Sequence, residues 1–531
     1  MTNVLLKAVL AIAIAVAPFS AVADEITHDA QVALRALGYL KGKPDGDFGP
    51  KTAAALGAFC TDHSLPSDGN LDAHDLIELQ YAAKDIVKIP LLINYDVSPD
   101  GRGLVLTDVA KNDYAQCEVS SYFILMRRPM AFTEIVDGFQ GFFEPDLYPN
   151  YIASKVEQET DDITGIFNAE IFNLHHRCLE GQRDTCQTII DIAKLMTSQG
   201  SYVLTVDPNK QVAVSEVYFR SKQKVLMPLL IAYSTAIQVL GKPPEHEAIG
   251  KWAYSAILQN TFDPFDLDPY AKPNFRSATR ELFRRGEPDA DLVGSGCRDL
   301  RGGSHSLKSG YLAGMYGAIW NDQHMFRIAF DVAEFVLNDI DENGATCNAS
   351  RGASALGYLG GDLNTILLIF QLAKMNGIDP MTIKNAGNVH RMAEFILNSA
   401  FDDTLLETYA KQNFLPGCGE DYHRQCIDKS AFRMAAFGWI PLYRNLFPDG
   451  PASKHFDELV HEMETSTTLT EDRKWALTAI LRSNYPYATI KHNFANVSVE
   501  NWDNAFVIYT DVINSNMGSP YCLYGYTERK Q

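Results

Sequence analysis

The chain has 531 residues, of which 46% are hydrophobic and 21% charged, and its formal net charge is −20. That length calls for two or three domains rather than one core, and the apolar content is enough to fill them. The acidic balance excludes a generic electrostatic grip on nucleic acid, and it requires any cleft for a polyanion to be locally basic.

The first 23 residues combine Lys7, an apolar run from Ala8 to Val16, and Ala21-Val22-Ala23, the small-x-small pattern of a cleaved secretory signal. Asp24 is the expected mature start, and loss of Lys7 leaves the mature chain one unit more negative. No later stretch of about 18 uninterrupted apolar residues follows, so no membrane span is expected after cleavage, and the protein is expected to be periplasmic or secreted. Of the nine cysteines, Cys178 with Cys186 and Cys418 with Cys426 are close enough to staple local loops in an oxidising compartment. An odd count leaves at least one thiol free. No CxxC pair or Cys/His cluster at zinc spacing occurs, and no metal or other cofactor is expected.

Residues 24–80 read as a small N-terminal three-helix domain, with helices over Ala30–Leu37, Lys51–Phe59 and Asp72–Leu79 and turn residues in the gaps. Three runs carry a specific likeness: Leu34-Arg-Ala-Leu-Gly-Tyr-Leu40, Pro44-Asp-Gly-Asp-Phe-Gly-Pro-Lys-Thr52 and Asp68-Gly-Asn-Leu-Asp72. They resemble the peptidoglycan-binding domain of bacterial wall enzymes, which implies cell-wall glycan as a partner. Most matching positions are structural: Gly46 and Gly49 suit a tight turn, and Pro50 suits the first position of the next helix. The module is expected to be a separable address that can be deleted without loss of chemistry. Residues 81–160, with β-like runs at Ile89–Tyr95 and Gly103–Thr107, read as a linker or small mixed subdomain.

From about residue 161 to the end at 531, the pattern becomes one of amphipathic helices separated by short Gly/Pro/Asp breaks. The spacing predicts helices over Cys186–Ser198, Val212–Leu240, Ala248–Leu258, Ser309–Trp320, Arg327–Asp339, Leu363–Met375, Asn388–Ser399 and Ala431–Leu446. Antiparallel helices with one buried face close into stacked pairs or into an α/α toroid, and periodicity alone does not choose between them. The fold class is therefore mainly α.

Two segments concentrate chemistry. Arg301-Gly-Gly-Ser-His-Ser-Leu-Lys-Ser-Gly-Tyr311 is a Gly-rich turn opening into an apolar helix, which places His305 near a helix N-terminus. Cys347-Asn-Ala-Ser-Arg-Gly-Ala-Ser-Ala-Leu-Gly-Tyr358 is a second polar lead-in, and if it is helical, Arg351 and Tyr358 lie two turns apart on nearly one face. Abstracting a proton beside a uronate carboxylate needs that carboxylate neutralised and a base held at the carbon. Arginine supplies a permanent charge, histidine donates to the carboxylate, and a tyrosine near positive charge serves as the base.

In order and spacing, residues 163–445 resemble the alginate (polymannuronate) lyase family. Gly303-Ser-His-Ser306 is similar to that family's Asn-Asn-His-Ser-Tyr element, and Arg351-Gly352 with Tyr358 is similar to its Arg-Gly-x5-Tyr element. The Cys178 helix, the apolar helix near Cys186 to Met196, and Ala436–Tyr443 resemble its opening and closing helices. The resemblance implies an α/α toroid, or incomplete α/α barrel, and metal-independent β-elimination on an acidic polysaccharide. It also implies roles: Tyr358 takes the C5 proton and returns one to the leaving oxygen, His305 neutralises the carboxylate, and Arg351 tunes the tyrosine. Ser304, Arg301, Lys308 and Tyr311 are the expected substrate contacts. Ser304 stands where the family has asparagine, which puts alginate itself in question more than elimination.

Two alternatives remain at this stage: a catalytically silent polysaccharide- or wall-binding protein, and a glycan hydrolase using an acid pair such as Asp341 and Glu342. His246-Glu247 and His461-Glu462 lack the second histidine of a zinc-protease helix, and His175 and His176 read as surface polar residues.

Overall fold

The computed structural model describes residues 21–87, 181–201, 214–258, 304–350, 355–402, 404–410 and 436–466, with isolated positions at 171–178, 203 and 468–480. Every long regular element among them is an α-helix, as the periodicity requires. Residues 1–20, most of the 81–160 segment, Arg301, Arg351, Cys418 and Cys426 lie outside the described residues.

The N-terminal module comprises α1 (Ala21–Ala36), α2 (Pro50–Asp62) and α3 (Ala73–Ala83). Leu34, Phe59, Leu76 and Leu79 fill its core at zero exposure. Gln31 organises the loop between the first two helices. Its amide donates to Asp45 Oδ1 at 2.8 Å, to Asp47 O at 3.0 Å and to Thr52 Oγ1 at 3.0 Å, while its oxygen accepts from the backbone of Asp45 and Gly46. Gly46 sits at φ +80°, where a side chain would be strained. Pro50 opens α2, and Asp72 with Asp75 forms a reciprocal capping box on α3. Thus several of the motif residues build the loop and the helix starts.

The helical body follows with α4 (Arg183–Gln199), α5 (Val214–Leu240), α6 (His246–Leu258), α7 (Ser304–Trp320), α8 (Gln323–Asp339), α9 (Ala355–Met375), α10 (Asn388–Phe401), α11 (Thr404–Ala410), α12 (Ile440–Leu446) and α13 (Pro451–Thr465). The expected Cys178–Cys186 disulfide is present and ties the first turn of α4 to the chain before it. Cys60 is a buried free thiol. Several helices begin earlier than periodicity indicates: α7 by five residues and α9 by eight, because Ser, Gly and Tyr in their first turns mask the apolar pattern. The expected helix over Ala431–Leu446 is shorter; residues 436–439 form a turn, and α12 starts at Ile440 with Pro441 in its first turn.

The α7–α8 hairpin turns at Asn321 and Asp322, and the Asp322 side chain caps α8 by accepting from the backbone of His324 and Met325. Three glycines of α7 let the helices touch. A side chain on Gly317, Gly314 or Gly310 would collide with Phe326, Ala329 or Val332, positions that rise along α8 as the glycines descend along α7. The pair is therefore antiparallel, and α8 returns the chain to the end where His305 starts α7. Gly314 also lies against Leu372, which seats α9 on the hairpin. By length and composition α9 is apolar enough to cross a membrane, but it is buried among the other helices, as a core helix is.

The module is not spaced from this body. α3 packs on α6, with the Tyr81 and Tyr254 rings edge to face at 6.2 Å and Lys251 Nζ 2.9 Å from Glu78. Lys84, just past α3, reaches Asp322 at 3.4 Å. The expected boundary after residue 80 falls inside α3, so the picture of a detached address is corrected: apolar residues on the far face of α3 are covered by α6.

Candidate active site

α7 starts with Ser304 and His305, and both occupy its first turn, where backbone N–H groups are unsatisfied and negative charge is favoured. The chain returning along α8 makes a tight turn at Asp341: its Oδ1 accepts from the backbone of Asn343 and Ala345, and its Oδ2 accepts from the Tyr409 hydroxyl at 2.5 Å. A single 3-10 turn, Cys347–Ser350, then leads toward α9.

Tyr358 lies in the first turn of α9. From Ala355 to Phe370 every residue of this helix is buried except Tyr358 and Gly361, which are three apart on one stripe. A side chain on Gly361 would meet nothing within 4 Å among the described residues. The tyrosine is therefore partly exposed on the N-terminal four turns of α9, beside a position with no side chain. Arg351 lies outside the described residues, and so does its expected helical relation to Tyr358.

Lys308 is partly exposed on α7, as a substrate contact would be. Tyr311 is a correction. It is 1% exposed, and burial alone drives its phenol far above the ordinary range, so it packs the core instead of facing a ligand. His175 is a second correction: it is 1% exposed, and its Nε2 shares a 2.9 Å hydrogen bond with Thr235. The acid pair of a hydrolase is not assembled at Asp341, whose oxygens are taken by its own turn and Tyr409, while Glu342 points to solvent.

Three buried polar residues in or just before α9, Asn348, Asp362 and Asn364, were missed. Asp362 has zero exposure, and its Oδ2 accepts from Asn348 Nδ2 at 2.5 Å; Asn348 is 1% exposed. The sequence signal was a carboxylate inside an apolar run. Asn364, buried at 2%, has no hydrogen-bond partner on either amide atom among the described residues. A separate cleft of about 590 Å³ runs along α10 and α11, lined by His390, Arg391, Glu394, Asn398, Tyr409 and Asn343 among others, and Tyr358 is not one of its walls.

Residues 24–74 match the family model of a peptidoglycan binding domain, and residues 302–404 match that of alginate lyase. No curated protein sequence matches the chain. Among solved structures, alginate lyase A1-III from Sphingomonas species A1 is similar at 15% identity, with 87% of this chain and 99% of that one covered and a TM-score of 0.40. A histidine-to-alanine variant of alginate lyase A1-III complexed with tetrasaccharide is similar at 16% identity, covering 61% of this chain and 77% of that one, also at 0.40. A tyrosine-to-phenylalanine variant with tetrasaccharide matches at 15% identity over 88% and 99%, with the same score.

Proposed function

We propose that this chain is a polysaccharide lyase that cleaves a uronate-containing, alginate-like polysaccharide by β-elimination. The observation that carries the reading is the alginate lyase match over residues 302–404, a span that includes His305, Arg351 and Tyr358. Tyr358 at the exposed stripe of a buried helix fits the base, because a core tyrosine would be sealed with its neighbours.

The chemistry needs few parts. The C5 proton of a uronate is removable only when the adjacent carboxylate charge is neutralised, so that the developing charge is stabilised. His305 at the α7 N-terminus supplies a donor there, and Ser304 adds a shorter one than asparagine. Tyr358 as the base removes the C5 proton, with Arg351 as its expected partner; the C4–O bond breaks, a C4–C5 double bond forms, and the tyrosine returns the proton to the leaving oxygen. Arg301 and Lys308 supply local positive charge for the polymer against an acidic background. The site draws its charge from this chain's own side chains, and turnover is expected to survive a chelator.

The remaining proposals follow from the ends of the chain. The signal-like leader supports export to the periplasm or beyond, and the N-terminal module supports a cell-wall glycan as a further partner. A panel of polyuronates read by ultraviolet absorbance tests the whole reading: a lyase generates an absorbing unsaturated uronate, a hydrolase generates reducing ends without it, and a silent binding protein generates neither.

A further inference from the structure

Asp362 is a carboxylate at zero exposure, with Leu359, Leu363 and Ile366 around it on α9 equally buried. Burying that group is unfavourable unless its oxygens accept good hydrogen bonds. One donor, to Oδ2, is Asn348 Nδ2, itself buried, from the Cys347–Ser350 turn. Asp362 follows Tyr358 by four residues and so lies on the same face, one turn deeper. One buried hydrogen bond thus ties the turn that immediately precedes Arg351 in sequence to the helical turn beneath Tyr358. Two apolar side chains of equal volume would fill the space without fixing a direction; a carboxylate facing an amide sets one.

We infer that Asp362 and Asn348 are positioning residues that fix the lead-in turn of α9 against the Tyr358 face, an inference that rests on the lyase reading above. Neither residue touches substrate in this scheme.

Asn348→Ala and Asp362→Leu remove the bond, whereas Asp362→Asn keeps an acceptor oxygen. Both bond-breaking variants are expected to lower kcat by about 10- to 100-fold with KM nearly unchanged, and Asp362→Asn to retain most turnover. Variants that lose thermal stability while keeping wild-type kcat per folded molecule would overturn the positioning role, as would an Asp362→Asn as inactive as Asp362→Leu. Hydrogen exchange gives a readout independent of activity: amides of residues 347–350 should exchange faster in Asn348→Ala, and unchanged exchange also overturns the inference. Tyr358→Phe run in parallel separates the two readings. If it retains wild-type turnover, the lyase assignment fails, and exchange alone then decides the clamp.

Discussion

Tyr358 and Gly361 show how a single stripe of a buried helix is read. Replacing Tyr358 by Phe removes only a hydroxyl; were the ring mere packing, the loss would be at most about 1 to 2 kcal/mol of stability. As the acid and base, its loss should cut kcat by about 10²- to 10⁴-fold while oligouronate binding persists, measured by steady-state kinetics and calorimetry. Gly361 tests the space beside it. Gly361→Ala should stabilise α9 by up to about 1 kcal/mol, since a methyl group meets nothing there and alanine is the better helix former. Gly361→Trp should raise KM several-fold with the fold intact by circular dichroism, and an unchanged KM would show that substrate does not cross that stripe.

Between elements, charge pairs and apolar contacts contribute unequally. α13 meets α10 through His455 Nδ1, 3.0 Å from Glu394 Oε2, and the hydrogen bond from Glu394 raises the imidazole above its ordinary value despite partial burial. A raised folded-state pKa gives stability that is fully present below the unfolded value of about 6.5 and lost as pH rises through the folded one. Glu394→Gln should therefore lower the melting temperature at about pH 5.5 and leave it nearly unchanged at about pH 9, with a loss near 1 kcal/mol because the pair is about a quarter exposed. Equal losses at both values would assign the effect to packing.

At the scale of the molecule, the module and the candidate site occupy opposite ends of α7. Lys84 meets Asp322 at the hairpin turn, and α7 runs 15 residues on from His305 to its end at Trp320, about 22 Å at ~1.5 Å per residue. A glycan held on the module is thus held away from the candidate site, while Tyr81 of α3 packs edge to face on Tyr254 of α6 at the joint. Deleting residues 24–87 should lower the melting temperature by several degrees by uncovering that aromatic contact, and should leave the kcat of the surviving folded fraction on soluble polymer unchanged. Lys251→Ala alone should cost under about 1 kcal/mol, since its pair with Glu78 is a third exposed. A truncated protein as stable as the whole chain would restore the detached module.

Sequence by itself determined the helical class, the three-helix module with its Gly46 turn and Pro50 start, the Cys178–Cys186 staple, and the two segments that hold His305 and Tyr358. Each of these depends on local spacing or on a backbone conformation that few residues tolerate, and both are written along the chain. Tertiary structure alone decided the rest. Tyr311 and Tyr358 are both tyrosines near the start of apolar helices, yet one is sealed and the other reaches the surface, because exposure depends on which neighbours cover each face. Asp341 resembled half of an acid pair until Tyr409 and its own turn took up its oxygens. Asp362 was an isolated carboxylate in an apolar run until the fold brought Asn348 against it, a contact set by the path of the chain between α8 and α9.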